Sequence, residues 1–327
     1  MNLHRQLATA LTSCAILALA GGCSSGPSVS GSFERTYTVT GHTRIDLSNT
    51  SGDVSITGSA DGKVHVHGDV RVWGSGLADA NKKLADIDGN PPLEQTPDGV
   101  RIGKDSMRVH NASISYTIEV PRDTEVSSTT ASGAQSVRNL RGPIKLQSAS
   151  GAVRAEGIDG EAQLASLSGT VSAANMGDVV RASSASGDVA VSGAKGDVRA
   201  RNESGNIQIT KPGARVESED SSGNITVQGA AADVKAHSVS GNVTVRGNPS
   251  ANSYWDLKTI SGAVEIGLAA GSNFHLLAES TSGDIRADIP IMIEEQGKHS
   301  LRAQIGSGGG RVEMHTVSGD IRLTPAN

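Results

Sequence analysis

Short stretches in which Val, Ile or Ala alternates with polar residues recur along most of the chain at a fixed interval. The dipeptide Ser-Gly marks the register at Ser132, Ser150, Ser168, Ser186, Ser204, Ser222 and Ser240, with 18 residues between neighbours. It returns at Ser261 and Ser282 after 21 residues each and at Ser318 after 36, and an earlier copy stands at Ser51. Three residues after these serines come Val153, Val171, Val189, Ile207, Ile225 and Val243, and two further on Ala155, Ala173, Val191, Ile209, Val227 and Val245. A second set of alternating positions lies half a period away, at Ile144, Ala162, Val180, Val198, Val216 and Val234. Period-two alternation predicts short strands with one buried face. One unit thus reads as strand, Gly-containing turn, strand, Ser-rich corner. A unit this small buries its apolar face only by stacking on copies of itself. The expected fold is all-β: a parallel β-solenoid (β-helix) with 18-residue coils, about ten from Ser132 to the end of the chain at one coil per strand spacing. The crossover rule gives it a right hand.

The pattern changes outside these units. Residues 33 to 73 contain four strand-like stretches, and Leu77, Ala80, Leu84 and Ile87 then form a helical stripe. One short helix is expected near residues 76–88, stopped by Asn90-Pro91-Pro92. It would cover a sheet edge or the end of the core. The expected organisation is an N-terminal β region over 33–125, continuous with solenoid repeats over 126–327. The longer units carry Tyr254, Trp255 and Phe274, which implies wider coils, and 287–312 reads as irregular.

Composition narrows the function classes. The chain of 327 residues has 40 glycines, seven aromatic residues and an apolar fraction of 36%, so it cannot build a thick aromatic core. A net charge of −5 gives no basic surface for nucleic acid.

The N-terminus reads as an export signal over residues 1–22: a basic start at His4 and Arg5, then an apolar run from Leu7 to Ala20 too short to span a bilayer. The stretch LALAGGC ending at Cys23 resembles the lipobox of bacterial lipoproteins, although Ala20 stands where that motif usually has leucine. The resemblance implies that Cys23 is the lipid attachment site and the first residue of the mature chain. It also implies a membrane partner through acyl chains, palmitate among them. Cys14, the other cysteine, lies in the apolar run, so processing leaves no intrachain disulfide. Residues 23–32 read as a flexible tether, and the lack of aspartate after Cys23 resembles lipoproteins sorted to an outer membrane.

ISYTIEVPRDTEV, from Ile114, leading into serial SG[DN]V units, and GSGGGRVEMHTVSGDIRL near the end, resemble a bacterial envelope family labelled "putative adhesin". The similarity runs from about residue 33 to 324. It implies a β-solenoid of the cell envelope with an adhesive or structural role. It supplies no catalytic residues.

Candidate chemistry falls on the outward strand positions. Glu217 and Glu219 share a strand face and, with Asp220, form the densest acidic cluster. In register, Glu217 falls between Arg199 and Lys235, and Glu219 between Arg201 and His237, which reads as ion-pair ladders rather than a glycosidase pair. Asp188, Asn206, Asn224 and Asn242 stack after the Ser-Gly step and read as turn-closing residues. Ser148, Ser166, Ser184 and Ser238 read as corner hydrogen-bonding groups. His65 and His67 have the spacing of metal ligands but no third partner. Arg181, Arg199 and Arg201 form a small basic patch, and Tyr254 and Trp255 read as packing groups in a widened coil. The expectation is a non-catalytic surface protein without cofactor or metal. Its partners are the membrane and an envelope or extracellular polysaccharide or another protein. The alternatives are a carbohydrate-binding or polysaccharide-degrading solenoid, and an accessory of an envelope-stress sensing system.

Overall fold

The computed structural model describes residues 26–103 and 111–326, so the signal, its cleavage site and Cys23 lie outside the described residues. The chain forms two compact units, Met1–Gly151 and Ala152–Asn327.

In the first unit, β1 (Ser28–Thr38), β4 (Lys63–Trp73) and β7 (Ala112–Pro121) form an antiparallel set. β7 then runs parallel to β3 (Val54–Ser59), which runs parallel to β9 (Gln135–Leu140). The second sheet has the order β5 (Leu93–Thr96), β6 (Gly99–Ile102), β2 (Arg44–Ser51), β8 (Glu125–Ser132) and β10 (Ile144–Ser150). Ser51 lies opposite Ser132, so the isolated early Ser-Gly copy is a coil stacked directly on one far along the sequence. The expected tether over 23–32 is shorter than its composition suggested: Ser28–Ser32 are strand, paired with Asp69–Trp73. The helix α1 (Leu77–Gly89) packs on β1 and β4. Ala80 is buried, and Leu84 lies over Gly31, where a side chain would crowd it.

The second unit consists of stacked coils. One sheet contains β11 (Val153–Ile158), β13 (Val171–Met176), β15 (Val189–Ala194), β17 (Ile207–Thr210), β19 (Ile225–Ala230), β21 (Val243–Gly247) and β23 (Val264–Leu268). The other contains β12 (Ala162–Ser168), β14 (Val180–Ser186), β16 (Val198–Ser204), β18 (Val216–Ser222), β20 (Val234–Ser240) and β22 (Tyr254–Ser261). Consecutive coils pair in parallel with an 18-residue offset: Val189 is opposite Ile207, and Ile207 opposite Ile225. All three are essentially inaccessible to solvent. Between Val198 and Val216 on one sheet and Ile207 and Ile225 on the other, the core needs only aliphatic side chains. The thin core widens at the C-terminal coils, where Trp255, Leu257, Phe274, Leu276 and Met314 are buried.

Stack order departs from sequence order at this end. β24 (Phe274–Ser282) and β25 (Ile285–Ala287) do not follow β22 and β23. The last strands, β28 (Gly310–Ser318) and β29 (Ile321–Pro325), lie between them. Ser261 is opposite Ser318, and Ser318 opposite Ser282. The stretch expected to be irregular supplies β26 (Met292–Gln296) and β27 (Ser300–Ile305), which add antiparallel strands beyond β24.

The Ser-Gly corner shows why its residues are small. Gly205 has φ +135° and Gly241 φ +156°, and a Cβ on either would come within 2.5 Å of the glycine carbonyl oxygen one coil back. Replacing buried Ile225 by Ala should cost about 2–5 kcal/mol through lost burial and a residual cavity. Replacing the outward-facing Gln208 by Ala should change stability by less than about 0.5 kcal/mol. Urea denaturation followed by circular dichroism distinguishes the two.

Candidate functional site

Outward positions of the second sheet of the Ala152–Asn327 unit form three parallel columns. Moving through β14, β16, β18, β20, β22 and β28, the first carries Arg181, Arg199, Glu217, Lys235, Asp256 and Glu313. Two residues on lies Ser183, Arg201, Glu219, His237, Lys258 and His315. The third, just before each Ser-Gly, becomes apolar at Val239, Ile260 and Val317, all about half exposed.

The charged columns compensate themselves. Glu217 lies 3.4 Å from Arg199 and 3.3 Å from Lys235. Glu219 lies 3.3 Å from Arg201 and 2.8 Å from Lys235. The Lys235 hydrogen bond holds the Glu219 carboxyl below the usual carboxylate range. The expected pairing of Glu219 with His237 does not form, because His237 turns to Asp256 at 2.9 Å. Arg181 pairs with Glu161, so none of the three arginines of the basic patch stands alone. Asp220 does not join its acidic neighbours: it is one residue out of phase and points into the buried corner.

Asp256 and Glu313 form a second, more buried carboxylate pair that the sequence reading missed. They are opposite each other on β22 and β28, and each is 9% exposed. Burial opposes ionisation of Asp256, but Lys258 and His237 outweigh it and hold its carboxyl below the ordinary value. For Glu313, burial is likewise outweighed by the Tyr254 hydroxyl, which donates to it at 2.6 Å, and by Arg311. Tyr254 itself is pushed up to about 12 by burial of its hydroxyl and by Glu313. The expectation that Tyr254 and Trp255 both pack inside is therefore half corrected. Trp255 is fully buried, with its indole N–H donating to the Ala232 carbonyl at 2.7 Å, whereas Tyr254 is 41% exposed beneath the Arg311 guanidinium. The Ser-Gly register could have found the acidic pair, since both residues lie five positions before such a serine. The 57-residue separation hid it, because nothing in the repeat says that β28 enters beside β22.

Next to this pair is a cleft of about 510 Å³. His237, Lys258, His315 and Glu279 line one side, and Ile260 and Val317 the other. His315 lies 3.3 Å from Glu279. The hydroxyls of Ser238, Thr259, Ser280 and Thr316 at its base donate to backbone carbonyls.

The remaining candidates have structural roles. Asp188 accepts from the backbone N–H of Asn206, Asn206 from Asn224, and Asn224 from Asn242, at 2.8, 3.2 and 2.9 Å. These side chains tie one coil to the next rather than closing their own turns. Ser184 and Ser238 donate to corner carbonyls, and Ser148 accepts from Thr130. In the first unit, His65 lies 2.9 Å from Asp61, and His67 3.2 Å from Glu34 and 3.3 Å from Asp69. Among the described residues no group of three or more His, Cys, Asp or Glu side chains is placed to hold a metal ion.

The Toastrack DUF4097 family matches the sequence over residues 42–253 and again over 219–324. No curated protein matches it. Among solved structures, it is similar to a protein described as a putative adhesin from Bacteroides fragilis (15% identity, TM-score 0.42, covering 89% of this chain and 96% of that one). It is also similar to one described as a putative lipid binding protein from Parabacteroides distasonis (17% identity, TM-score 0.44, covering 72% and 96%).

The Glu219–Lys235 pair is exposed enough for solvent to screen it. Lys235→Met should lower stability at neutral pH by about 0.2–1 kcal/mol, less in about 1 M salt. Because the folded pKa of Glu219 is lowered, the contribution is present above the unfolded value of about 4.3 and disappears as pH falls through the folded one. Denaturation midpoints of both proteins across acidic pH check the sign.

Proposed function

The chain belongs to the Toastrack DUF4097 family, and on that premise we propose that it is a lipid-anchored protein of the bacterial cell envelope whose coils present an adhesive, non-catalytic surface. Cys23 carries the acyl chains, and the outer membrane is the anchoring membrane. Burial of the acyl chains, at about 0.8 kcal/mol per CH₂, supplies membrane affinity when more than one chain is attached. Among the described residues no helix is long and apolar enough to cross a membrane.

The observation that carries the non-catalytic part is the set of cations and hydrogen-bond donors around the stacked carboxylates Asp256 and Glu313. Glycoside hydrolysis needs one carboxyl that keeps its proton beside one that does not. Asp256 and Glu313 are both held below their ordinary pKa by cations and hydrogen-bond donors, so neither keeps a proton to give a leaving group. Tyr254 holds its proton too tightly to take the part of a base near neutrality. The pair is therefore better suited to fixing the surface than to proton transfer.

The contact surface in this reading is the cleft along β20, β22 and β28. Its size falls in the range of small-molecule and oligomer subsites. Its ions are already paired with one another, so it offers fixed hydrogen-bonding groups on one side and aliphatic side chains on the other. That combination suits a polyhydroxylated chain with apolar ring faces, an envelope or extracellular polysaccharide, more than a strongly charged ligand.

Two measurements test the parts separately. Radiolabelled palmitate should enter the full-length protein and fail to enter a Cys23→Ala variant; equal labelling of both would remove the anchor. Affinity electrophoresis of the soluble mature chain through gels containing envelope polysaccharides should show retardation that Ile260→Ser with Lys258→Ala reduces at least several-fold. New reducing ends or unsaturated products would replace the adhesive reading with an enzymatic one. Equal mobility of both proteins in every gel would remove the cleft as a glycan site.

A further inference from the structure

The buried corner of the second unit has a rule, and one residue departs from it. At six inward positions two residues before a Ser-Gly serine, a side-chain donor reaches the glycine carbonyl of the adjacent coil. Ser184 donates to Gly169 at 3.0 Å, Asn202 to Gly187 at 2.8 Å, and Ser238 to Gly223 at 3.1 Å. Thr259 donates to Gly241 at 2.8 Å, Thr316 to Gly262 at 3.0 Å, and Ser280 to Gly319 at 3.0 Å. Between Asn202 and Ser238 the same position is Asp220.

Asp220 is placed as the donors are. An ideal Cβ on Gly205 would strike the Gly187 oxygen and lie 2.9 Å from Asn202 Nδ2. One coil on, a Cβ on Gly223 would strike the Gly205 oxygen and lie 3.0 Å from Asp220 Oδ2. Oδ2 thus stands where Nδ2 stands, facing a carbonyl oxygen. Oδ1 is satisfied by the Ser222 backbone N–H at 2.9 Å. Oδ2 is buried from water, and no donor reaches it. An ionised carboxylate there would set a negative oxygen against a carbonyl oxygen with no protein donor between them.

We infer that Asp220 keeps its proton in the folded protein above the usual carboxylate range, with that proton on Oδ2 and donated to the Gly205 carbonyl oxygen. The acid thereby continues a ladder that serine, threonine and asparagine make elsewhere. Its direct neighbours are Asn202 on β16 and Ser238 on β20, which are uncharged. The ionisable groups nearby on these strands, Glu219 on its own strand, Arg201 and Glu203 on β16, and His237 on β20, occupy the outward positions of the sheet. Burial, the largest influence, raises the Asp220 pKa, and the backbone N–H groups of Ser222 and Ser221 oppose it without cancelling it. The corner Ser221–Gly223 is consequently a pH-responsive point in the stack. Losing the proton breaks the bond to Gly205 and obliges the corner to admit water.

The sign of the pH dependence follows. A folded pKa raised above the unfolded value of about 3.9 means that the folded state holds the proton longer, so stability falls as pH rises from the unfolded to the folded value. Asp220→Asn supplies a permanent donor of the same shape, as Asn202 does. The variant should melt with the wild type below about pH 4 and a few degrees above it in alkaline buffer, with the gap opening as pH rises. Asp220→Ser, which copies the hydroxyl of Ser238, should show the same trend and serves if the Asn variant does not fold. Direct evidence comes from the soluble mature chain labelled with ¹³C at aspartate carboxyls. The resonance absent from the variant should titrate above the usual aspartate range. A titration midpoint near 4, or a melting gap that does not change with pH, would overturn the inference.

Discussion

Each coil rests on the equivalent positions of the coil beneath it, and every other feature of the second unit has to be compatible with that superposition. Column positions must be filled with side chains that pack on their own kind. Val189, Ile207 and Ile225 do so at the centre, and small aliphatic residues suffice because the two sheets are close. The corner must be narrow enough for backbone to lie on backbone, which makes glycine obligatory where a Cβ would strike the carbonyl of the preceding coil. Polar groups turned inward must find partners in the neighbouring coil, since water does not reach them. The hydroxyl ladder to the glycine carbonyls meets that demand, while the solvent-exposed Asp188–Asn242 ladder ties successive coils together from outside.

The same superposition organises the surface. Charges on the outward face sit one strand spacing from the charges above and below, so like charges in register would repel and opposite charges alternate instead. Arg199, Glu217 and Lys235 show the alternation; Arg181 beside Arg199 departs from it, and so does Asp256 beside Glu313. Two acids stack there, and the surroundings compensate by gathering Lys258, His237, Arg311, His315 and the Tyr254 hydroxyl around them. This polar cluster arises where two acids stack in register. It adjoins the cleft assigned to ligand contact. A surface built in this way is rigid and pre-paired, properties that favour presenting a shape over transferring protons.

Much of this was legible from the Ser-Gly interval. The period shows the strands and the inward positions, the longer units with their aromatic residues show the wide C-terminal coils, and a separate helical stripe shows the helix at Leu77–Gly89. The period could not reveal the order in which non-consecutive coils stack. β2 meets β8, and β28 slips between β22 and β24, through backbone pairing that leaves the local alternation of each strand unchanged. For that reason Glu217 and Glu219 attracted attention as neighbours in sequence while Asp256 and Glu313 escaped it. Side-chain direction was legible to the level of the face but not of the partner: His237 could reach Glu219 or Asp256, and the more buried acid holds it. Asp220 looked like part of an acidic surface because the sequence crowds it against Glu219. Alternation places it on the inner side, among hydroxyls.

The stacking order at the C-terminal end is the part of the account most open to a direct physical check. In a Cys23→Ser background, paired cysteines can be placed at the outward corner positions Ile260, Val317 and Thr281. Adjacent parallel strands bring their α-carbons to about 4.8 Å, within disulfide reach, whereas the next strand but one lies about twice as far away and out of reach. With β28 between β22 and β24, Ile260→Cys should cross-link rapidly on oxidation with Val317→Cys and not with Thr281→Cys. The opposite result would mean that the coils stack in sequence order, and the Asp256–Glu313 pair and its cleft would have to be abandoned.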